Sequence, residues 1–185
     1  DLGAQGGSGH SIGACWGDVD NDGYFDLFAG NFAHAGQPQS RFLRNLGPKN
    51  GYKFEDKGPA GVGYQESYAS PTLGDYDNDG DVDVLVLRGG WQRNAPGISH
   101  PNSLLQNDGE GHFRDVTFAA GLGERHYPTQ TASWADFDND GLLDLYIGAS
   151  DYPGNHGLLY RNLGDMKFEA LEVADYGYVM EDGRI

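Results

Sequence analysis

The chain has 185 residues, with 30 Gly, 11 Tyr and 9 Phe and a formal net charge of −16. That length suits one domain with a sizeable core, and the composition favours strands and tight turns over helices. The acidic balance excludes the basic footprint of a nucleic-acid binder, and no run of 18 apolar residues is present to cross a membrane as a helix.

The chain opens on Asp1 without a Met or a signal peptide, as a processed form or the ordered part of something longer would. A first apolar run, Ile12–Gly17, contains Cys15 and Trp16. A single Cys rules out an intramolecular disulfide and a cysteine metal cluster. It falls in register with Thr72 and Ser133 of later copies, and so reads as a small packed side chain rather than a nucleophile. The run leads into Asp18-Val-Asp-Asn-Asp-Gly-Tyr-Phe-Asp26, the pattern D-x-D-N-D-G-x-x-D.

The same pattern returns as Asp75–Asp83 and as Asp136–Asp144, with starts 57 and then 61 residues apart. Each copy is preceded by an apolar run (Ile12–Gly17, Ser70–Gly74, Thr131–Ala135) and followed by another (Phe25–Gly30, Val82–Leu87, Leu143–Gly148). A variable loop then leads to Arg41–Asn45, Ser103–Asn107 or Gly157–Asn162. A Gly-containing turn follows, and then Tyr52–Glu55, Gly111–Arg114 or Met166–Glu169.

Each unit thus holds four short β-like runs, A to D, separated by turn residues. The B runs are apolar on both alternating faces, which places them inside a sheet covered on both sides. Self-similarity at a fixed period marks a repeat architecture. The expected fold is all-β, with three four-stranded β-propeller-type blades of about 60 residues and an incomplete ring. One repeat domain covers 1–185, with blades at 8–63, 67–123 and 129–177.

Twelve of the 28 acidic residues stand at the four repeated Asp positions. Four carboxylates in nine residues repel one another unless a cation sits among them. Oxygen-only donors with this spacing suit Ca²⁺, which takes about 6–8 oxygens in flexible geometry, better than Mg²⁺, which wants a rigid octahedron. The expected ligands are Asp18, Asp20, Asp22 and Asp26 with the Tyr24 carbonyl, then Asp75, Asp77, Asp79 and Asp83 with the Asp81 carbonyl. The third set is Asp136, Asp138, Asp140 and Asp144 with the Leu142 carbonyl. Asp81 adds one more charge to the second loop. The loops start like an EF-hand, but its closing acid is replaced by Ala29, Val86 or Ile147, and a strand follows instead of a helix.

The D-x-D-x-D-G-x-x-D loop, the Asp26-Leu27 to Gly30 and Asp144-Leu145 to Gly148 strands and the later L-x-R-N-L-G wording resemble FG-GAP/VCBS-type repeats. The "R-N-L-G…F-E" wording is especially similar to the cartilage acidic protein group of that family, and integrin α-subunit propellers share the loop. The resemblance covers about residues 8–177. It implies calcium between strands A and B of each blade, usually on extracellular or cell-surface proteins, without implying one activity.

Propellers close with about four to eight blades, so three leave end faces to be covered by further blades or by other copies. Head-to-tail contacts that fail to close build filaments. The B–C and D–A loops, expected opposite the acidic ones, carry His34, Trp91, Arg93, Tyr127, Tyr152 and His156, a mixture suited to a protein or carbohydrate ligand. No familiar catalytic motif is present, and the expectation is a non-enzymatic protein of adhesion, recognition or surface assembly. The competing class is a carbohydrate-active lyase or hydrolase, with His126 beside Tyr127, or its sugar-binding accessory domain.

Overall fold

A computed structural model describes residues 2–3, 10–32, 40–58, 70–87, 102–124, 129–149 and 157–171. Twelve strands fall among them. Strands β1 (His10–Gly17), β2 (Asp26–Phe32), β3 (Arg41–Asn45) and β4 (Phe54–Asp56) form the first sheet, in that order. Strands β5 (Ser70–Gly74), β6 (Asp83–Leu87), β7 (Ser103–Asn107) and β8 (Phe113–Asp115) form the second. The third comprises β9 (Thr129–Ala135), β10 (Asp144–Ala149), β11 (Leu158–Asn162) and β12 (Phe168–Leu171). Every neighbouring pair is antiparallel, so each sheet is an up-and-down meander.

The sheets pack face to face as propeller blades. Inner strands β1, β5 and β9 follow one another, and the described strands form no closed ring. Side-chain alternation explains why the middle blade reads as apolar throughout. Val84 and Val86 point into a core shared with Val19, Phe28 and Phe42 of blade 1. Leu85 and Leu87 point the other way, into a core shared with Leu145, Ile147, Tyr160 and Phe168 of blade 3. All five residues of β6 are buried. Each such aliphatic side chain contributes about 1.5–3 kcal/mol when removed from water, so one strand anchors two joints.

Strand bounds differ from the sequence reading mainly in the fourth runs. Strands β4 and β12 begin at Phe54 and Phe168 because Tyr52 and Met166 have positive φ of 56° and 58° and belong to the turns. Strand β8 begins at Phe113 for a similar reason, with Gly111 at φ 80°. Cys15 packs against the core between blades 1 and 2, and burial pushes its thiol up to about 12, which suits a packing role.

Candidate metal sites in the A–B loops

Each acidic loop leaves the end of an inner strand and returns as the next strand begins. Asn21, Asn78 and Asn139 take left-handed φ of 55°, 59° and 61°, and Gly23, Gly80 and Gly141 take 88°, 94° and 90°. A Cβ on any of these three glycines would meet nothing within 4 Å, so backbone conformation alone requires Gly there. The first Asp of the motif pins this curl. Asp18 accepts from the amides of Asp22 (3.0 Å) and Gly23 (2.9 Å), and Asp136 from those of Asp140 and Gly141 (both 3.0 Å). Asp75 accepts from Gly80 (3.1 Å).

The last Asp of the motif has a different task. Asp26, Asp83 and Asp144 are buried at the first position of β2, β6 and β10. One oxygen of each accepts the backbone N–H of Asn45, Asn107 or Asn162 at 2.7–2.8 Å. The other accepts the N–H of Val19, Tyr76 or Phe137 at 3.1–3.2 Å. Burial raises these carboxyls, to about 6 for Asp26 and about 7 for Asp83, despite the amide bonds that oppose the shift. Asp144 shifts the same way, for the same reason.

Three carboxylates in each loop come together. Ligand atoms of Asp18, Asp20 and Asp22 lie within 4.8 Å of one another, as do those of Asp75, Asp77 and Asp83 and those of Asp136, Asp138 and Asp144. These three clusters can hold ions. Asp26, Asp79 and Asp140 stand outside the threesomes, and Asp79 and Asp140 accept the amides of Asp81 and Leu142 at 2.9 Å. The Asp81 carboxylate turns away from its own loop to accept from the Asn21 side chain at 2.6 Å. Asp20 Oδ1, Asp75 Oδ1 and Asp77 Oδ1 are buried and accept no hydrogen bond. A buried carboxylate oxygen without a donor is costly, and a hard cation is what these oxygens fit.

The second Asp of each loop also meets a side chain from the third strand. Arg44 forms an ion pair with Asp20 and reaches Asp22 at 3.6 Å. Arg161 pairs with Asp138 at 3.1 Å. In the middle blade Gln106 donates to Asp77 at 2.7 Å, and its own carbonyl accepts from Arg114 at 2.7 Å. Desolvation raises the Asp20 carboxyl, with Arg44 opposing. Loop 2 therefore has five Asp and, among the described residues, no directly paired Arg, and is the most negative of the three.

The position-seven residues, whose carbonyls were expected as ligands, pack on the turn between the third and fourth strands. Tyr24 lies against Gly47 and Asp81 against Gly109, and Leu142 lies near Gly164. A–B and C–D loops thus share one side of each blade. His34, Trp91, Arg93, Tyr127, Tyr152 and His156, expected on the opposite side, lie outside the described residues, as does His126.

Blades joined face to face, each with an acidic curl between its first two strands, define a β-propeller-type repeat protein with candidate cation loops. The FG-GAP-like repeat model matches residues 18–86 and 94–147, most of the chain, and the chain belongs to that family. It is also similar to cartilage acidic protein 1 of Homo sapiens, with 32% identity over 68 residues. That match covers 37% of this chain and 10% of the human protein, so the chain spans only a small part of that relative's length.

Proposed function

We propose that this chain is a calcium-binding, extracellular or cell-surface repeat protein, non-enzymatic, whose blades serve adhesion, recognition or surface assembly. The observation that carries the calcium reading is the recurrence, blade after blade, of three convergent carboxylates, with buried oxygens that accept no hydrogen bond in loops 1 and 2. Bound calcium supplies positive charge among carboxylates that otherwise repel. The chain's own residues do the rest. The first Asp curls the loop, the last Asp ties it to the third strand, and glycines at positive φ allow the turn. The structural consequence is a rigid A–B hairpin and a blade held at a defined angle.

The extracellular assignment is supported by the family, whose calcium-loop repeats usually stand on extracellular proteins. The loops that carry His34, Trp91, Arg93, Tyr127, Tyr152 and His156, which the sequence alone assigns to the side opposite the acidic curls, are the place for a protein or carbohydrate ligand. Calcium binding the folded loops better than the unfolded chain raises stability by mass action. Isothermal titration should find three calcium ions per chain, and chelation should lower the unfolding temperature. No heat of binding and no change in melting would remove the calcium reading.

A further inference from the structure

The two joints between blades are built alike. At each, the inner strand of the later blade lays a large side chain on the glycine that ends the earlier one. Leu73 sits over Gly17, where a Cβ would be 2.6 Å from its Cδ1, and Trp134 sits over Gly74, where a Cβ would be 2.9 Å from its ring. An Asn from the third strand then bonds in two directions. Asn107 Nδ2 donates to the Val82 carbonyl of its own blade (3.1 Å) and across the joint to the Val19 carbonyl (2.7 Å). Asn162 does the same with Leu143 (3.1 Å) and, across the joint, Tyr76 (2.7 Å).

Blade 1 carries this set at the same register, facing away from blade 2. Asn45 Nδ2 makes the within-blade bond, to the Phe25 carbonyl at 3.1 Å, and is only half-buried where Asn107 and Asn162 are buried. Trp16 takes the place of Leu73 and Trp134 and is 56% exposed, and Phe25 takes the place of Val82 and is 65% exposed. The outer edge of this face is already dressed for a joint. Phe54 donates to the Leu2 carbonyl at 2.6 Å, with Gly3 at φ 80°, as Phe168 donates to the Ala120 carbonyl at 2.9 Å, with Gly121 at φ 82°. At the other end of the chain, blade 3 repeats the forward-facing row. Tyr146 stands where Phe28 and Leu85 are buried in blades 1 and 2, and is 39% exposed.

We propose that the open face of blade 1 docks blade 3 of a second copy of this chain, head to tail, continuing the joint that links blades 1 and 2 and blades 2 and 3. Trp16 and Phe25 lose their exposed area, and Asn45 completes its second bond on a carbonyl of the acidic loop of the incoming blade. The forward face of blade 3 is the one of its kind in the chain that no later blade occupies among the described strands. Repulsion between chains of charge −16 makes the contact dependent on cations in the loops. The inference gives a surface and a partner to the assembly part of the proposed function, on which it rests.

Sedimentation velocity of the 185-residue chain in calcium, over a dilution series, tests it. Species larger than one chain should form with rising concentration. Trp16→Glu should return the protein to monomer, and Asn45→Ala should weaken association about tenfold, the worth of one such bond. Phe118→Glu, at a side chain 73% exposed in the segment after β8, should leave association unchanged. Melting curves of the exposed Trp16 variant should match the unaltered chain, which separates loss of docking from loss of fold. A chain that stays monomeric at every concentration overturns the proposal, as does association that survives both Trp16→Glu and Asn45→Ala. Calcium titration on the same samples keeps the two readings apart. Calcium uptake by a permanent monomer removes only the docking face, and assembly without uptake removes the calcium reading together with the dependence of the contact on loop cations.

Discussion

Replacing Asn162 with Ala should cost far more than replacing Asn45, although the two occupy the same position in their blades. The Asn162 side chain donates to the Tyr76 carbonyl across the joint (2.7 Å) and to the Leu143 carbonyl (3.1 Å), and accepts the Gly164 N–H (3.0 Å). It is 1% exposed. Truncation leaves three backbone groups without their partner, the buried Tyr76 carbonyl and the half-buried Leu143 carbonyl and Gly164 N–H. At about 1–3 kcal/mol for each unsatisfied group, with the two half-buried groups at the lower end of that range, the loss is about 3–6 kcal/mol, a large part of the ~5–15 kcal/mol that holds a domain together. Asn45 bonds the Phe25 carbonyl (3.1 Å) and the Gly47 N–H (3.0 Å), without a bond across a joint. Water reaches that half-buried site, so its truncation should cost about 1–2 kcal/mol.

Urea denaturation followed by circular dichroism, in excess calcium and at concentrations where the chain is monomeric, measures both losses. Blades stabilise one another through nearest-neighbour faces, so the Asn162 variant should also release blade 3 before the rest and broaden the transition. Asn162→Asp keeps the acceptor for Gly164 but removes both donor bonds and adds charge beside Asp144, and should be no better than Ala. Equal losses for Asn162→Ala and Asn45→Ala would refute the reasoning, because they would show that the bond across the joint contributes nothing.

The chemistry of the loops leads to further expectations. Arg44 competes with a cation for Asp20 and Asp22, so Arg44→Gln should tighten calcium binding at loop 1 severalfold, whereas Gln106→Arg should weaken it at loop 2; titration calorimetry reads both. Loop 2, with Asp81 in addition and no directly paired Arg among the described residues, should bind first in a stepwise titration. The buried Asp83 carboxyl, at about 7 against an ordinary 3.8, gives the calcium-free chain an unusual pH response. Between those values the folded state holds a proton that the unfolded chain has released, so stability falls as pH rises toward 7. Calcium requires the ionised carboxylate and reverses the trend; melting at pH 5 and pH 8, with chelator and with calcium, should show opposite slopes.

Most of the architecture was legible because the repeat prints the same physical pattern three times. Strand β6 reads as doubly apolar for the reason the structure shows, since Val84 and Val86 serve one joint and Leu85 and Leu87 the other. The acidic curls were legible from four Asp at fixed offsets with Gly where φ is positive. What those residues do individually was harder to read. Asp26, Asp83 and Asp144 look like ligands in the sequence, yet each also bridges two backbone amides, one of them 18 to 24 residues away in the chain. Arg44, Gln106 and Arg161 carry no such signal in the sequence, because their reach to the loop depends on the register between the second and third strands. The Asn that follows each of them is repeated in all three units and was visible. Its meaning emerges only when the neighbouring blade supplies the carbonyl.

The loops and the joints are one device rather than two. Asn107 and Asn162 reach back to carbonyls at the second position of the preceding acidic loop, beside Asp18 and Asp75. Asn21 and Asn78 reach forward, to the Asp81 carboxylate at 2.6 Å and to the Gly141 carbonyl at 2.8 Å. Each joint is therefore clasped in both directions by atoms that belong to the acidic curls. A cation that fixes one curl also fixes the donors and acceptors its neighbours depend on, so the effect of filling a loop extends beyond its own hairpin. Loop 2 receives Asn21 and sends out Asn78, and its Tyr76 carbonyl holds Asn162, which ties it to both neighbours at once. Four carboxylates crowded into nine residues thus stand beside the bonds that join one blade to the next, so a cation that neutralised them would act on the hairpin and on the joint together.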